Sequence, residues 1–149
     1  MNNSKLTPAA ITILASAAVV LIGSFLDFYE LDLGPFGSEG ASAWSGDLFF
    51  PVTIIPVLCG LAMAIHIGMT AFGNAALPER VLGFGWNQIH LALGIQAAVM
   101  MIAFLVQDKG GFDIAIGFWL MLLGSIGLAV GAFLRQNEPA ASAPPPPLA

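Results

Sequence analysis

The sequence predicts an all-α integral membrane protein, built as a bundle of four membrane-spanning helices. Of its 149 residues, 58% are hydrophobic and only 9% are charged, whereas a soluble domain usually has about 25% charged residues. The apolar residues are also gathered into four long runs of about 20 residues, the length at which a helix crosses a hydrocarbon core about 30 Å thick. Because lipid offers the backbone no hydrogen-bond partners, such runs are expected to be helical.

The predicted spans cover residues 8–27, 50–73, 83–106 and 112–134. The first begins at Pro8, and proline is favoured in the first turn of a helix. This first apolar run is longer than the apolar region of a typical signal peptide, so we expect it to be retained as a helix.

The basic residues predict the orientation. Four spans place both termini on one side of the membrane. Lys5, Arg80 and Arg135 flank the spans on that side, and Lys109 is on the other. Cytoplasmic loops carry the excess of Lys and Arg. We therefore expect both termini, including the short segment 1–7, to be cytoplasmic, in a multi-pass protein of a bacterial plasma membrane.

The two longest segments outside the spans have different compositions. The loop 28–49, FYELDLGPFGSEGASAWSGDLF, has no basic residue and is rich in Gly and Ser, so we expect an irregular, solvated external loop that faces a partner surface. It lacks the spacing of an EF-hand calcium loop. The tail 136–149 ends in EPAASAPPPPLA, which predicts an extended or disordered segment. The acidic residues of the loop and its edge are Asp27, Glu30, Asp32, Glu39 and Asp47.

Polar side chains interrupt the third span, in the stretch GWNQIHLALGIQ. Asn87, His90 and Gln96 lie there, and the second span contributes His66. Spans two and three should form an antiparallel hairpin that turns near Pro78. Each histidine is twelve residues from that proline, so both should lie at a similar depth in the membrane.

These four polar residues have two interpretations. One is a structural seam between helices, since polar contacts between membrane helices contribute on the order of 1 kcal/mol each. The other is a buried site for a ligand, an ion or a proton. A haem between the histidines is disfavoured, because axial ligands stand on opposite sides of the macrocycle and neighbouring helices pack only about 8–10 Å apart. We expect no cofactor and no metal.

Small residues form rows on two of the predicted helices. Such rows let helix backbones approach closely, either within the bundle or against another membrane protein. They comprise Gly60, Ala64 and Gly68 in the second span, and Gly117, Gly124, Gly127 and Gly131 in the fourth.

Several function classes are disfavoured by what the sequence lacks. A formal net charge of −5 argues against nucleic acid binding, which needs a basic surface. Cys59 is the only cysteine, so no disulfide can form within the chain. There is no GxSxG, HExxH or P-loop motif, and no pair of carboxylates within a span. We therefore expect a protein that is not an enzyme.

The layout resembles a known family. The segments that carry the resemblance are GSFLDFYELDLG at 23–34, FFPVTIIPVLCGLA at 49–62 and the final APPPPLA. In this arrangement the chain resembles the small four-helix membrane proteins of actinobacteria typified by the 34 kDa antigenic protein family. The resemblance implies a cell-envelope membrane protein, an accessory to larger assemblies, and it transfers no functional residues.

Two functional hypotheses follow. The first is an accessory or scaffold subunit that packs against other membrane proteins, or against copies of itself, within the lipid bilayer. It would use the rows of small residues, the acidic loop and the proline-rich tail. The alternative is a protein that handles a small molecule, a lipid or an ion at the polar residues of spans two and three.

Overall fold

The part of the chain that the structure describes contains four α-helices, five short strands and two 3-10 turns. The computed structural model describes residues 6–45, 51–73, 77–78 and 80–138, so the proline-rich end of the tail lies outside the described residues. In chain order the elements are α1 (Pro8–Phe25), β1 (Asp27–Asp32), β2 (Ser38–Ser42), α2 (Ile55–Phe72), β3 (Arg80–Val81), β4 (Phe84–Gly85), α3 (Trp86–Val106), β5 (Asp113–Ile114) and α4 (Ile116–Gln136).

The prediction of four apolar helices is confirmed. Within the described ranges, four helical segments are long and apolar enough to cross a membrane. The prediction of an all-α fold is wrong in detail, because strands lie at both ends of the bundle. Three spans also begin later than predicted: strands at residues 84–85 and 113–114 precede α3 and α4, and a 3-10 turn at Val52–Ile54 precedes α2.

Each helix packs against its neighbours in the chain, and α4 closes the bundle by packing along α1. The contacts between α1 and α4 are the most extensive, and those of the two diagonal pairs are slight, with α1 and α3 touching even less than α2 and α4. Gly23 near the end of α1 meets Gly117 near the start of α4, whereas Ile13 meets Gly131. The two helices are therefore antiparallel, as expected for the first and last of four alternating spans.

One end of the bundle, which we call the sheet end, carries a three-stranded antiparallel sheet in the order β2-β1-β5. Tyr29 of β1 pairs with Ala41 of β2 on one side and with Ile114 of β5 on the other. The prediction of an irregular loop over 28–49 is therefore wrong for residues 28–32 and 38–42. A short 3-10 turn at Gly34–Phe36 reverses the chain between β1 and β2, where glycine tolerates the positive φ of 61° at Gly34.

Aromatic rings close the core beneath this sheet. The side chain of Phe28 is fully buried and makes edge-to-face contacts with Tyr29, Phe104 and Phe118, at centroid distances of 4.7, 5.7 and 5.2 Å. Such pairs add to the stability gained from burial alone. Burial raises the pKa of the Tyr29 phenol to about 12.

Hydrogen bonds fix the segment after β2 onto the end of α1. Nε1 of Trp44 donates to Oγ of Ser24 at 3.0 Å, and Oγ of Ser24 donates to the carbonyl of Leu21 at 2.6 Å. The hydroxyl of Thr53 donates to the carbonyl of Ala43 at 2.6 Å. The glycine- and serine-rich segment is thus ordered by side chains distant in the sequence.

The opposite end, which we call the turn end, holds the start of α1, the end of α4 and the β3–β4 hairpin. The hairpin turns through Leu82 and Gly83, with φ angles of 52° and 86°. Two consecutive positive φ angles suit the twist of a two-residue hairpin. Nε1 of Trp86 donates to the carbonyl of Pro78 at 2.8 Å, which ties the first residue of α3 to this connection.

Candidate ligand site at the turn end

The two histidines lie in direct contact near the turn end. The rings of His66 on α2 and His90 on α3 meet edge to face, with centroids 4.8 Å apart. His90 is four residues inside α3 and His66 is six residues from the end of α2. At 1.5 Å per residue, both therefore lie roughly 6–9 Å inside the helix ends. Their exposed fractions are 6% for His66 and 1% for His90.

Trp86 holds the ring of His66 in place. The indole stacks on the imidazole with a centroid distance of 3.8 Å and an interplanar angle of 18°. The hydrogen bond from Trp86 to Pro78 fixes the indole in turn. His66 is therefore enclosed between the indole of Trp86 and the ring of His90.

The last turn of α4 adds a positive charge. Arg135 carries this charge, and its Nη1 atom is buried. Nδ2 of Asn87 donates to the carbonyl of Arg135 at 3.4 Å, which links α3 to α4. A cation in the last turn is also favoured by the helix dipole.

We refer to His66, His90 and Arg135 as the His–Arg cluster. Neither nitrogen of His66, neither nitrogen of His90, nor Nη1 of Arg135 has a hydrogen-bond partner among the described residues. Buried polar groups in native proteins are nearly always paired, and an unpaired group costs on the order of 1–3 kcal/mol. Five such atoms together mark the cluster as the most polar and least satisfied part of the described core.

The other polar residues of α3 lie outside the cluster. The prediction that Gln96 belongs with the histidines is wrong: its side chain is exposed and contacts Sδ of Met100 on its own helix, at 3.8 Å. Asn87 is exposed and lies at the edge of the cluster through its bond to Arg135. The segment therefore divides into a cluster near the turn end and an outward-facing glutamine further along.

The glycines of α4 pack against α1. A methyl group added at Gly117 would lie 2.6 Å from the carbonyl oxygen of Gly23, and one at Gly124 would lie 2.9 Å from that of Ser16. Gly127 likewise contacts Ser16. Together with Gly131, these residues let the two helices approach closely, so this row is used inside the bundle.

The small residues in the row on α2 differ in how closely they are packed. Gly60 packs against Ala17 of α1 and Leu128 of α4, and Ala64 is partly buried against the core. Gly68 has open space around it among the described residues, so it makes no close contact within the bundle, and its packing against another membrane protein stays a prediction. Gly94 of α3 lies against the backbone of Ala129 in α4, so it too lets two helices approach closely.

The geometry of the cluster limits what it can hold. Two imidazoles in contact cannot stand on opposite faces of a porphyrin. Among the described residues, no group of three or more His, Cys, Asp or Glu could hold a metal ion. The neighbouring charge of Arg135 also repels a cation. What the cluster offers is a guanidinium donor and two imidazoles, each with one N–H donor when neutral.

Sequence reasoning missed two of the residues at this site. Arg135 was assigned only to the orientation, and Trp86 to no role. The available signal was their position at helix ends next to the histidine pair: Trp86 is the first residue of α3, and Arg135 is the next to last residue of α4. No spacing rule links residue 135 to residue 90, because that proximity depends on how α4 packs.

The fold and the composition define a multi-pass membrane protein with a polar cluster at one end of its bundle. No family model, no curated protein and no solved structure matches the chain. The resemblance to the 34 kDa antigenic protein family therefore stays a prediction.

Proposed function

We propose that this protein binds a small polar or charged molecule at the His–Arg cluster, within a membrane. The observation that supports this is the set of five buried nitrogen atoms without partners among the described residues. A ligand that hydrogen-bonds to these atoms offsets the cost of burying them.

A purely structural seam accounts less well for the cluster. Polar residues that join membrane helices do so by hydrogen bonds across the interface. Asn87 does this by donating to the carbonyl of Arg135. His66 and His90 instead meet through their rings, so they bury polar atoms without linking the helices through them.

The charge distribution supports an orientation for this site. Arg80 and Arg135 lie at the turn end, whereas the loop that contains Lys109 lies at the sheet end with the acidic residues of β1 and β2. By the positive-inside rule, the turn end faces the cytoplasm. To test this orientation, a single cysteine is placed at Glu39 or at Arg80 in a variant that lacks Cys59, and intact cells are treated with a membrane-impermeant maleimide. Labelling of Arg80→Cys from outside the cell would contradict this orientation.

Native mass spectrometry tests the binding proposal. Protein extracted from its own membranes in a mild nonionic detergent should retain an additional small mass. The double variant His66→Ala/His90→Ala should lose that mass, while Gln96→Ala, a matched polar substitution outside the cluster, should keep it. If the wild-type protein carries no additional mass, or if the double variant retains it, the proposal is wrong.

The double variant must also be folded for its result to count. Cys59 is the only cysteine and is buried, so a thiol-reactive fluorescent dye reports unfolding directly on heating. A cooperative transition in the double variant shows that the loss of the bound mass is local.

An accessory role is a second candidate, favoured by the tip of the sheet end. The phenyl ring of Phe36 is 90% exposed, and strand β2 is an edge strand with one unpaired side in the described sheet. Exposed edges and rings of this kind are used to bind partner chains. A partner that co-purifies with the wild-type protein in stoichiometric amount, and is lost in Phe36→Ser, would support this role.

A further inference from the structure

We propose that the molecule bound at the His–Arg cluster is an oxyanion of the phosphate type, either free or as part of a lipid headgroup. This inference rests on the proposed function and names the chemistry of its ligand. It is carried by two observations: the buried imidazoles of His66 and His90 and the buried Nη1 of Arg135 have no partners among the described residues, and Asn87, one turn of α3 before His90, bonds to the carbonyl of Arg135.

The charge at the cluster selects an anion. Glu138 lies three residues after Arg135 in the chain, and Nη1 of the guanidinium has no partner among the described residues. The acidic side chains of β1, β2 and β5 lie at the opposite end of the helices. A buried positive charge is costly unless an anion pairs with it.

The donors come from three different helices. Arg135 lies on α4, His90 on α3 and His66 on α2, so their polar atoms reach the cluster from three directions. A phosphate group offers several oxygen acceptors in a tetrahedral arrangement, and its bonds to guanidinium are charge-assisted. A flat carboxylate has fewer oxygens with which to meet donors from three helices.

The position of the cluster gives an anion access. Arg135 is partly exposed although its Nη1 is buried, and the exposed side chain of Asn87 lies beside it. The last turn of a spanning helix lies at the boundary between hydrocarbon and headgroups. Both a soluble phosphate compound and a lipid phosphate occur at this depth.

The fluorescence of Trp86 gives a direct readout, because its indole stacks on His66. The chain has three tryptophans, so a variant with Trp44→Phe and Trp119→Phe retains Trp86 as the reporter. This variant, in maltoside detergent, is titrated with sodium phosphate against sodium chloride of equal ionic strength. A second titration uses phosphatidic acid in mixed micelles. We expect a saturable change in at least one titration.

Three substitutions then test the assignment. Arg135→Gln should weaken binding by about tenfold or more, since it removes a charge-assisted bond. Glu138→Gln should strengthen binding, because it removes the competing negative charge. Arg80→Gln, which removes an exposed arginine at the same end of the bundle, should leave the titration unchanged. The melting transition reported by Cys59 verifies that each variant is folded.

The outcomes separate the two proposals. A response to both probes supports a site for phosphate groups in general, and a response to phosphatidic acid alone supports a lipid headgroup. If neither probe binds, or if Arg135→Gln binds as well as the parent, the oxyanion assignment is wrong. In that case the native mass spectra decide whether the proposed function stands. A bound small molecule that is lost in His66→Ala/His90→Ala supports the proposed function without the oxyanion assignment, whereas the absence of any bound small molecule overturns both proposals.

Discussion

Replacing Gly124 by alanine should destabilise the bundle, because this glycine lies where α4 and α1 are closest. An added methyl group would lie 2.6 Å from Cγ2 of Val20, 2.9 Å from the carbonyl oxygen of Ser16 and 3.0 Å from the amide nitrogen of Val20. Ordinary van der Waals contacts of a Cβ atom begin at 3.4 Å. Two of the three obstructing atoms belong to the backbone of α1, so a change of rotamer cannot relieve the overlap.

The magnitude follows from two opposing effects. Overpacking of a filled core costs about 1–3 kcal/mol. Alanine in place of glycine inside a helix contributes about 1 kcal/mol in the opposite direction. We therefore expect the free energy of unfolding to fall by up to about 2 kcal/mol in Gly124→Ala.

Gly68→Ala is the matched control. Gly68 is also inside a helix, but no heavy atom lies within 4 Å of its added methyl group. Only the gain in helix propensity remains, so this variant should be as stable as the parent or more stable by up to about 1 kcal/mol. The two variants should differ by roughly 1–3 kcal/mol although the chemical change is the same.

Unfolding by increasing mole fractions of sodium dodecyl sulfate in mixed micelles measures this difference, with the reactivity of Cys59 as the probe. Equal stability of the two variants, or a stabilised Gly124→Ala, would refute the close packing of α1 against α4. Loss of a membrane partner without loss of stability would instead assign the glycine row of α4 to an external interface.

Three further predictions concern the two ends of the bundle. Tyr29 is the only tyrosine, so the absorbance of its phenolate should titrate with a pKa near 12 rather than 10. The folded state holds the phenol proton more tightly than the unfolded state does. The contribution of Tyr29 to stability is therefore intact below pH 10 and is lost between about pH 10 and 12, which unfolding measured as a function of pH checks. Ser24→Ala should lower stability by about 1 kcal/mol, since it removes the acceptor for Nε1 of Trp44; an unchanged melting temperature would show that this bond contributes nothing. Leu82→Asn should raise the melting temperature and increase the free energy of unfolding by about 1 kcal/mol, because asparagine tolerates the φ of 52° at this exposed position better than leucine does. A lower melting temperature would contradict the positive φ.

The histidine pair illustrates how far spacing along the chain could predict the site. Equal separations from Pro78 placed His66 and His90 at one depth of a predicted hairpin, and in the structure their rings are in contact. That reasoning needed only a constant rise per residue and a tight turn. It could not find Arg135, since nothing local relates the end of α4 to the start of α3.

The sequence by itself determined the class of the protein. Low charge and four apolar runs require helices in lipid, because each helix satisfies its own backbone hydrogen bonds. This is a local property, so it can be predicted segment by segment. The strands at the sheet end were not predicted, because they depend on the burial of Phe28 against Phe104 of α3 and Phe118 of α4.

The tertiary structure decided which face of each helix turns inward. When a helix is apolar on all sides, its sequence says little about which face points into the bundle. The sequence therefore left open whether the glycines of α4 face α1 or a partner. It also left open whether Gln96 joins the histidines. Close packing resolved both questions, since only one rotation of α4 places Gly124 against Ser16 and Val20. Together with the packing of α3 against α4, it brought the end of α4, which is distant in the sequence, to the histidine pair of α2 and α3.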